Sequence, residues 1–304
     1  MTTTNLLTSL TITTTNTTTT RTTTTRTTTR TTTRTTRTTT TTTTTTRTTT
    51  KTTTAYPLNS MRMFNLSNSY STAGGDSFAN LYGYANDGTY NYLLDNTLNT
   101  VFKFDNSWVY VSKTTLPFSS PFYLTYVSGN WFITGNNGIY KTDSTFTTIV
   151  ASATTGTHYG LYYDSTSSTI YAVKSGSVME YTTGLAVSYT NTISGYIFWS
   201  ITASGNTFYI GTTDGLVLAM TSRAVTGNFN GCNSRSSNTV YSIMVQGTTV
   251  MTECFGDTYF YTGSGSSFIY QSGITSSTST GKGVWLDLKN CLVVTDVGSY
   301  IIKS

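Results

Sequence analysis

The chain has 304 residues, with Lys+Arg 17 against Asp+Glu 12, one His, three Cys, 25 Gly and 23 Tyr. No apolar run reaches the roughly 18–20 residues that cross a bilayer, a single His excludes a His-cluster metal centre, and there is neither a GxxxxGK[ST] phosphate loop nor a CxxC pair. Charge is split: residues 13–54 hold 34 Thr, six Arg, one Lys and one Asn, or +7, which leaves 17 − 7 = 10 basic groups against 12 acidic ones elsewhere. The basic balance therefore belongs to that segment and not to a globular surface.

Met1 runs straight into Thr2-Thr3-Thr4, without the basic and apolar regions of a signal peptide. A Thr tract of this kind belongs on secreted, O-glycosylated stalks, so the chain is read as extracellular with its signal already removed. Residues 1–12 form the first unit. Leu10 and Ile12 alternate with Thr, and Leu6 and Leu7 extend the apolar content, which predicts a short strand. Such a strand at the tip of a hydrophilic stalk has no core of its own. Leu6, Leu7, Leu10 and Ile12 are therefore the expected docking residues, adding to a sheet edge of another copy.

Residues 13–54 are the second unit, an extended Thr-rich non-globular stalk. Thr is β-branched and polar, so the run neither favours helix nor supplies a core. In polyproline-like geometry its length would span about 130 Å. The expected O-glycan acceptors are Thr13, Thr14, Thr15, Thr17, Thr18, Thr19, Thr20, Thr22, Thr23, Thr24, Thr25, Thr27, Thr28, Thr29, Thr31, Thr32 and Thr33. The N-linked pattern occurs at Asn16 and Asn65. Arg21, Arg26, Arg30, Arg34, Arg37, Arg47 and Lys51 interrupt the Thr at irregular steps without interleaved aromatics, which fits a self-repelling linker and no nucleic-acid partner.

Residues 55–304 are the third unit, and they repeat at intervals near 40 residues, a propeller period. Cores align at Leu81–Phe104, Leu124–Asp143, Leu161–Tyr181, Trp199–Met220, Ile243–Tyr261 and Trp285–Lys303. A Gly recurs at the second turn of five of them, at positions 138, 176, 215, 256 and 298, where tight hairpins require positive φ. Fourth segments follow at Trp108–Val111, Phe146–Val150, Leu185–Tyr189, Ala224–Phe229 and Ser267–Tyr270; the sixth repeat has none. The strand Ser60–Leu66, just ahead of the first repeat, is available to complete it and hide an edge. The prediction is all-β: a six-bladed β-propeller closed by an N-terminal strand.

On period and turns, the 55–304 unit resembles the six-bladed propellers of the NHL and YWTD kind. Joined to its Thr-rich stalk, it is similar in composition to glycan-coated extracellular fibril proteins. What the resemblance implies is a structural subunit, a homopolymer under covalent glycans, with no enzyme activity, cofactor, metal or membrane span. The alternative is a stalked cell-surface glycan-binding or adhesion module, in which Tyr rings on one face stack on sugars. A propeller places Cys232 and Cys254 on the same face, which predicts their disulfide and leaves Cys291 as a buried thiol. His158 is expected to be a hydrogen-bonded structural residue at a loop–strand junction, and Asp87, Asp164, Asp214, Asp257 and Asp296 turn residues. Trp131, Trp199 and Trp285 are assigned to strands and mostly to the core.

Overall fold

The computed structural model describes residues 66–233, 239–264, 267–275, 282–286, 292–296 and 299–303, and no helix occurs among them. The fold is an all-β propeller. In chain order, β1 (Leu66–Tyr70) is followed by a small hairpin, β2 (Thr72–Ala73) with β3 (Asp76–Ser77). The first antiparallel sheet contains β4 (Leu81–Asn86), β5 (Asn91–Asp95), β6 (Thr100–Phe104) and β7 (Tyr110–Thr115); the second contains β8 (Pro121–Val127), β9 (Asn130–Gly135), β10 (Gly138–Thr142) and β11 (Ile149–Ala153). A six-stranded sheet follows, made of β12 (Leu161–Asp164), β13 (Thr169–Tyr181), β14 (Val187–Ser204), β15 (Thr207–Thr212), β16 (Leu216–Thr221) and β17 (Ala224–Asn230). Next come β18 (Ser242–Gln246), β19 (Thr249–Cys254), β20 (Asp257–Ser264) and β21 (Ser267–Thr275), then β22 (Gly283–Leu286), β23 (Leu292–Asp296) and β24 (Ser299–Lys303), whose sheet is completed by β1.

Two expectations are corrected here. In place of six separate four-stranded blades, the structure has four four-stranded sheets and one six-stranded sheet. The third and fourth predicted units are joined because β14 runs 18 residues without a break. Its first part, Val187–Ile197, pairs with β13, and Phe198–Ser204 pairs with β15. Within the first part the pairing with β13 skips from Thr192 to Ile197, and the intervening Ile193-Ser194-Gly195-Tyr196 has no Pro to stop the strand. The closing strand also lies later than expected. It is Leu66–Tyr70, antiparallel to β24 with Tyr70 opposite Tyr300 and Leu66 opposite Lys303, whereas residues 60–65 lie outside the described residues.

Burial follows position within each sheet. The second strands are packed on both faces, as in Trp131-Phe132-Ile133-Thr134-Gly135 of β9 and all six residues of β19. Threonine serves in such buried strands because its hydroxyl finds backbone carbonyls: Thr134 donates to Tyr159 and Thr252 to Gly231. The outer strands β7 and β11 are mostly exposed. Between the third and fourth strands, one turn design recurs. Trp108, Phe146 and Leu185, expected to open strands, sit instead in the left-handed region at φ 61°, 66° and 63°. In each case the residue three earlier closes the turn through its carbonyl: Asp105, Asp143 and Thr182. The Asp105 and Asp143 carboxylates also accept backbone N–H bonds from Ser107 and Val109, and from Thr145 and Thr147. The left-handed conformation costs about 1–2 kcal/mol per residue. Burial of each of the three side chains to under 9% exposure offsets that cost.

Gly138, Gly215 and Gly256 sit at hairpin turns with positive φ as expected, whereas Gly176, also at positive φ, lies at an irregularity inside the unbroken β13 and not at a turn. At Gly138 a Cβ would lie 2.0 Å from the carbonyl oxygen of Ala153, so this turn tolerates no side chain.

Candidate functional site

The first strands of the repeats, β4, β8, β12, the second part of β14, β18 and β22, each pack on the next, and β22 returns to β4. They form a closed ring around an axis. One end of that axis is filled by aromatic rings at equivalent positions near the start of each strand: Tyr82, Phe122, Tyr159, Trp199 and Tyr241. Tyr159 stacks on Trp199 at 4.3 Å, Trp199 meets Tyr241 edge-on at 5.4 Å, and Tyr82 reaches across the ring to Trp199 at 6.3 Å. The sixth position is Lys282, 8% exposed, whose Nζ lies 4.0 Å from the centre of the Tyr241 ring. The ammonium sits over aromatic faces, an attraction that strengthens on desolvation. Burial, then the neighbouring Tyr241, raises the pKa of Tyr82, and burial raises that of Tyr241, so both stay neutral phenols.

Beyond this collar the axis opens into a cavity of about 370 Å³. It is lined by six inner strands: Tyr84 to Asn86, Tyr123 to Tyr126, Leu161 to Tyr163, Ser200 to Thr202, Ser242 to Met244, and Trp285. Not one of these residues is charged. Ser200 and Ser242 spend their hydroxyls on the carbonyls of Val240 and Val284 of the next strands, at 2.9 and 3.2 Å. The Tyr123 hydroxyl donates to the Tyr241 carbonyl. The hydroxyls of Thr125, Tyr126, Tyr163 and Thr202 make no hydrogen bond among the described residues, and all four side chains are half-buried.

A second surface feature lies at the outside. Among the described residues, seven of the twelve exposed large hydrophobics lie on edge strands or at their starts: Val109 and Val111, Ile149 and Val150, Val225, and Ile269 and Tyr270. Val109 and Ile269 are 61% and 70% exposed. Apolar exposure is thus concentrated at sheet edges, the positions natural sheets usually protect.

The predicted site residues divide as follows. Cys232 and Cys254 form a disulfide with a Cα–Cα distance of 5.7 Å, tying the end of the six-stranded sheet to β19. Cys291 lies outside the described residues, as do Asn65, Asn16, the Thr13–Thr33 acceptors and the docking residues Leu6, Leu7, Leu10 and Ile12. Asp87 accepts from the backbone of Thr89 and Tyr90 and from the Tyr92 hydroxyl; burial opposes its ionisation, but these bonds outweigh it and lower its pKa. Asp164 is held by Ser167 and the Thr166 N–H, and Asp257 by Tyr259. These are turn contacts. Trp131 is wholly buried, whereas Trp199 and Trp285 are half-buried, one at the collar and one at the cavity wall. The collar and cavity were not picked out from sequence. The available signal was an aromatic residue, single or paired, recurring at the start of each repeat.

His158 is fully buried. Its Nδ1–H donates to the Gly156 carbonyl at 2.7 Å, leaving Nε2 to accept from the Tyr181 hydroxyl at 2.8 Å, with Thr155 and the Met179 sulfur at 3.4 Å. Burial, assisted by the Lys174 charge, lowers its pKa from 6.5. The unfolded chain therefore binds a proton that the folded chain excludes, so stability is full above about pH 6.5 and falls as pH drops toward the folded value. The slope is expected to approach about 1.4 kcal/mol per pH unit. Denaturant midpoints across pH 5–7.5 check this, and His158→Gln should flatten the curve there. Losses from Asp87, Asp143 and Asp164, whose pKa values are lowered from 3.8, fall in a separate window below about that value.

Among the described residues no group of three or more His, Cys, Asp or Glu side chains is placed to hold a metal ion, and no helix is long and apolar enough to cross a membrane. No family model matches the chain, and no curated protein does. Solved structures do. The WD40 β-propeller domain of Doa1 is 11% identical over 76% of this chain and 80% of its own, with a TM-score of 0.59. A chain of the mitotic checkpoint complex is 12% identical over 76% of this chain and 75% of its own, with a TM-score of 0.57. What this chain shares with them is the fold: it is a β-propeller.

Proposed function

We propose that the chain is a non-catalytic structural subunit of an extracellular, O-glycosylated fibre. Its head is a β-propeller of the NHL/YWTD-like kind, in which the continuous β14 joins two neighbouring repeats in one sheet. The observation that carries this reading is the row of exposed apolar residues on the outer strands. An unpaired edge with apolar side chains accepts an added strand, and residues 5–12 of another copy supply one through Leu6, Leu7, Leu10 and Ile12. Glycans on the Thr13–Thr33 acceptors, and at Asn16 and Asn65, coat the connection between heads. The Cys232–Cys254 bridge suits an oxidising, extracellular setting.

Electron microscopy with intact-mass analysis of native material tests it. Filaments with mass well above the bare polypeptide are expected, and deletion of residues 1–12 should abolish filaments while leaving the head folded. Filaments that persist in the deletion variant would remove the docking role. A second reading, a stalked cell-surface glycan-binding module, is favoured by the uncharged, tyrosine-lined axial cavity.

A further inference from the structure

We infer that the axial cavity is a binding site for a terminal neutral sugar residue. This deepens the second reading of function and does not depend on fibre formation. The argument begins with what the cavity lacks. With no Asp, Glu, Lys, Arg or His in its wall, it offers no counter-charge to a metal ion, a phosphate or a carboxylate. Its phenols also stay neutral: burial raises the pKa of Tyr123, and burial followed by the nearby Asp164 raises that of Tyr162. An ionic ligand would be desolvated without compensation.

A purely apolar ligand fits no better. The hydroxyls of Thr125, Tyr126, Tyr163 and Thr202 have no hydrogen-bond partner among the described residues, and an apolar occupant would bury them unsatisfied. The remaining class is neutral, rich in hydroxyls and edged with C–H faces that pack on aromatic rings. The half-buried Tyr126, Tyr162, Tyr163 and Trp285 bring aromatic rings to the wall from three different inner strands. A sugar ring meets both demands. Size agrees, since about 370 Å³ lies at the small end of the roughly 300–1,000 Å³ typical of ligand pockets. The collar behind it, where Tyr82 meets Trp199 across the axis, leaves a blind-ended pocket that admits the end of a glycan and not its middle.

The test is saturation-transfer NMR on the full chain, with a panel of neutral mono- and disaccharides as one arm and the O-glycans released from the native protein as the other. Transfer to ring protons of at least one neutral sugar is expected. The first arm alone responding marks a foreign glycan, and the second marks recognition of the stalk coat of a neighbouring copy. Thr202→Val and Tyr163→Phe remove only hydroxyls and should each weaken binding about tenfold, the worth of one hydrogen bond. Ala85→Phe fills the cavity and should abolish transfer, at some cost in melting temperature because Ala85 also packs on the cluster around Leu94 and Leu124. Absence of transfer in both arms overturns the site. So does transfer that survives all three variants, or binding of an unglycosylated Thr peptide in place of any sugar. Loss of transfer in Ala85→Phe with preserved near-UV dichroism distinguishes a blocked site from an unfolded one. None of these outcomes bears on whether filaments form, so the fibre reading stands or falls separately.

Discussion

Trp131→Ala is expected to destabilise the head by about 3–5 kcal/mol, the usual range for deleting a buried Trp. Trp131 lies in the middle of β9 with no exposed surface. Its ring stacks on Phe146 at 4.7 Å and meets Tyr92 and Tyr126 at 4.5 and 4.9 Å. Tyr92 belongs to β5 and Phe146 to the turn before β11, so the indole joins two neighbouring sheets through one cluster. Phe146 is the residue held at φ 66°, and the stack is what keeps it there. Removing the indole therefore empties a large volume and releases a strained turn at once. The indole N–H has no partner among the described residues. Trp131→Phe consequently loses no hydrogen bond and should cost less than half as much as the Ala variant. Urea denaturation followed by far- and near-UV dichroism reads both. An Ala variant within 1 kcal/mol of the parent would mean that the cluster does not unite the sheets.

Much of this architecture was legible because propeller strands advertise themselves through turn chemistry. The glycines at 138, 215 and 256 mark places where only positive φ closes the hairpin, and their regular spacing conveyed both repeat and period. The Cys232–Cys254 bridge followed from the repeat once it was drawn. Failures came where a residue contradicts its own propensity. Trp108 and Phe146 are bulky aromatics that read as strand starts, yet they occupy left-handed turns. Their reward is tertiary: Trp108 packs on Tyr84 at 6.0 Å and Phe146 on Trp131, contacts no local pattern reveals. The unbroken β14 was missed for the opposite reason. A repeat frame demands a boundary, but Ser194-Gly195 turns out to be only an irregularity within a continuous strand. The cavity was hidden because its wall takes one or a few residues from each of six strands, brought together by ring closure and not by any motif. The polarity of that wall, by contrast, was already written in the Thr, Ser and Tyr of the inner strands.

Ring closure itself carries the second large expectation. A chain beginning at residue 71 should be far less stable than one beginning at residue 61, although the two differ by only ten residues. The difference is β1. It supplies the outermost strand of the last sheet, pairing Tyr70 with Tyr300, Ser69 with Ile301 and Asn68 with Ile302, with a bulge before Leu66 meets Lys303. Every other sheet is built from strands adjacent in sequence. This one alone joins the two ends of the propeller, so its pairing converts packing of β22 on β4 into a closed circle. At about 1 kcal/mol net for each hydrogen bond, loss of the five-residue strand costs roughly 3–5 kcal/mol. It also bares β24 as an unprotected edge, a template for association between chains. The chain from residue 61 should melt cooperatively and elute as a single species. The chain from residue 71 should melt at least about 6 °C lower, given 2–4 °C per kcal/mol at this size, and form aggregates on size-exclusion chromatography. A synthetic peptide covering residues 61–72 should restore part of the lost stability by re-forming the ladder on β24. Equal melting temperatures for the two chains would show that side-chain packing alone closes the ring and that β1 contributes only cover.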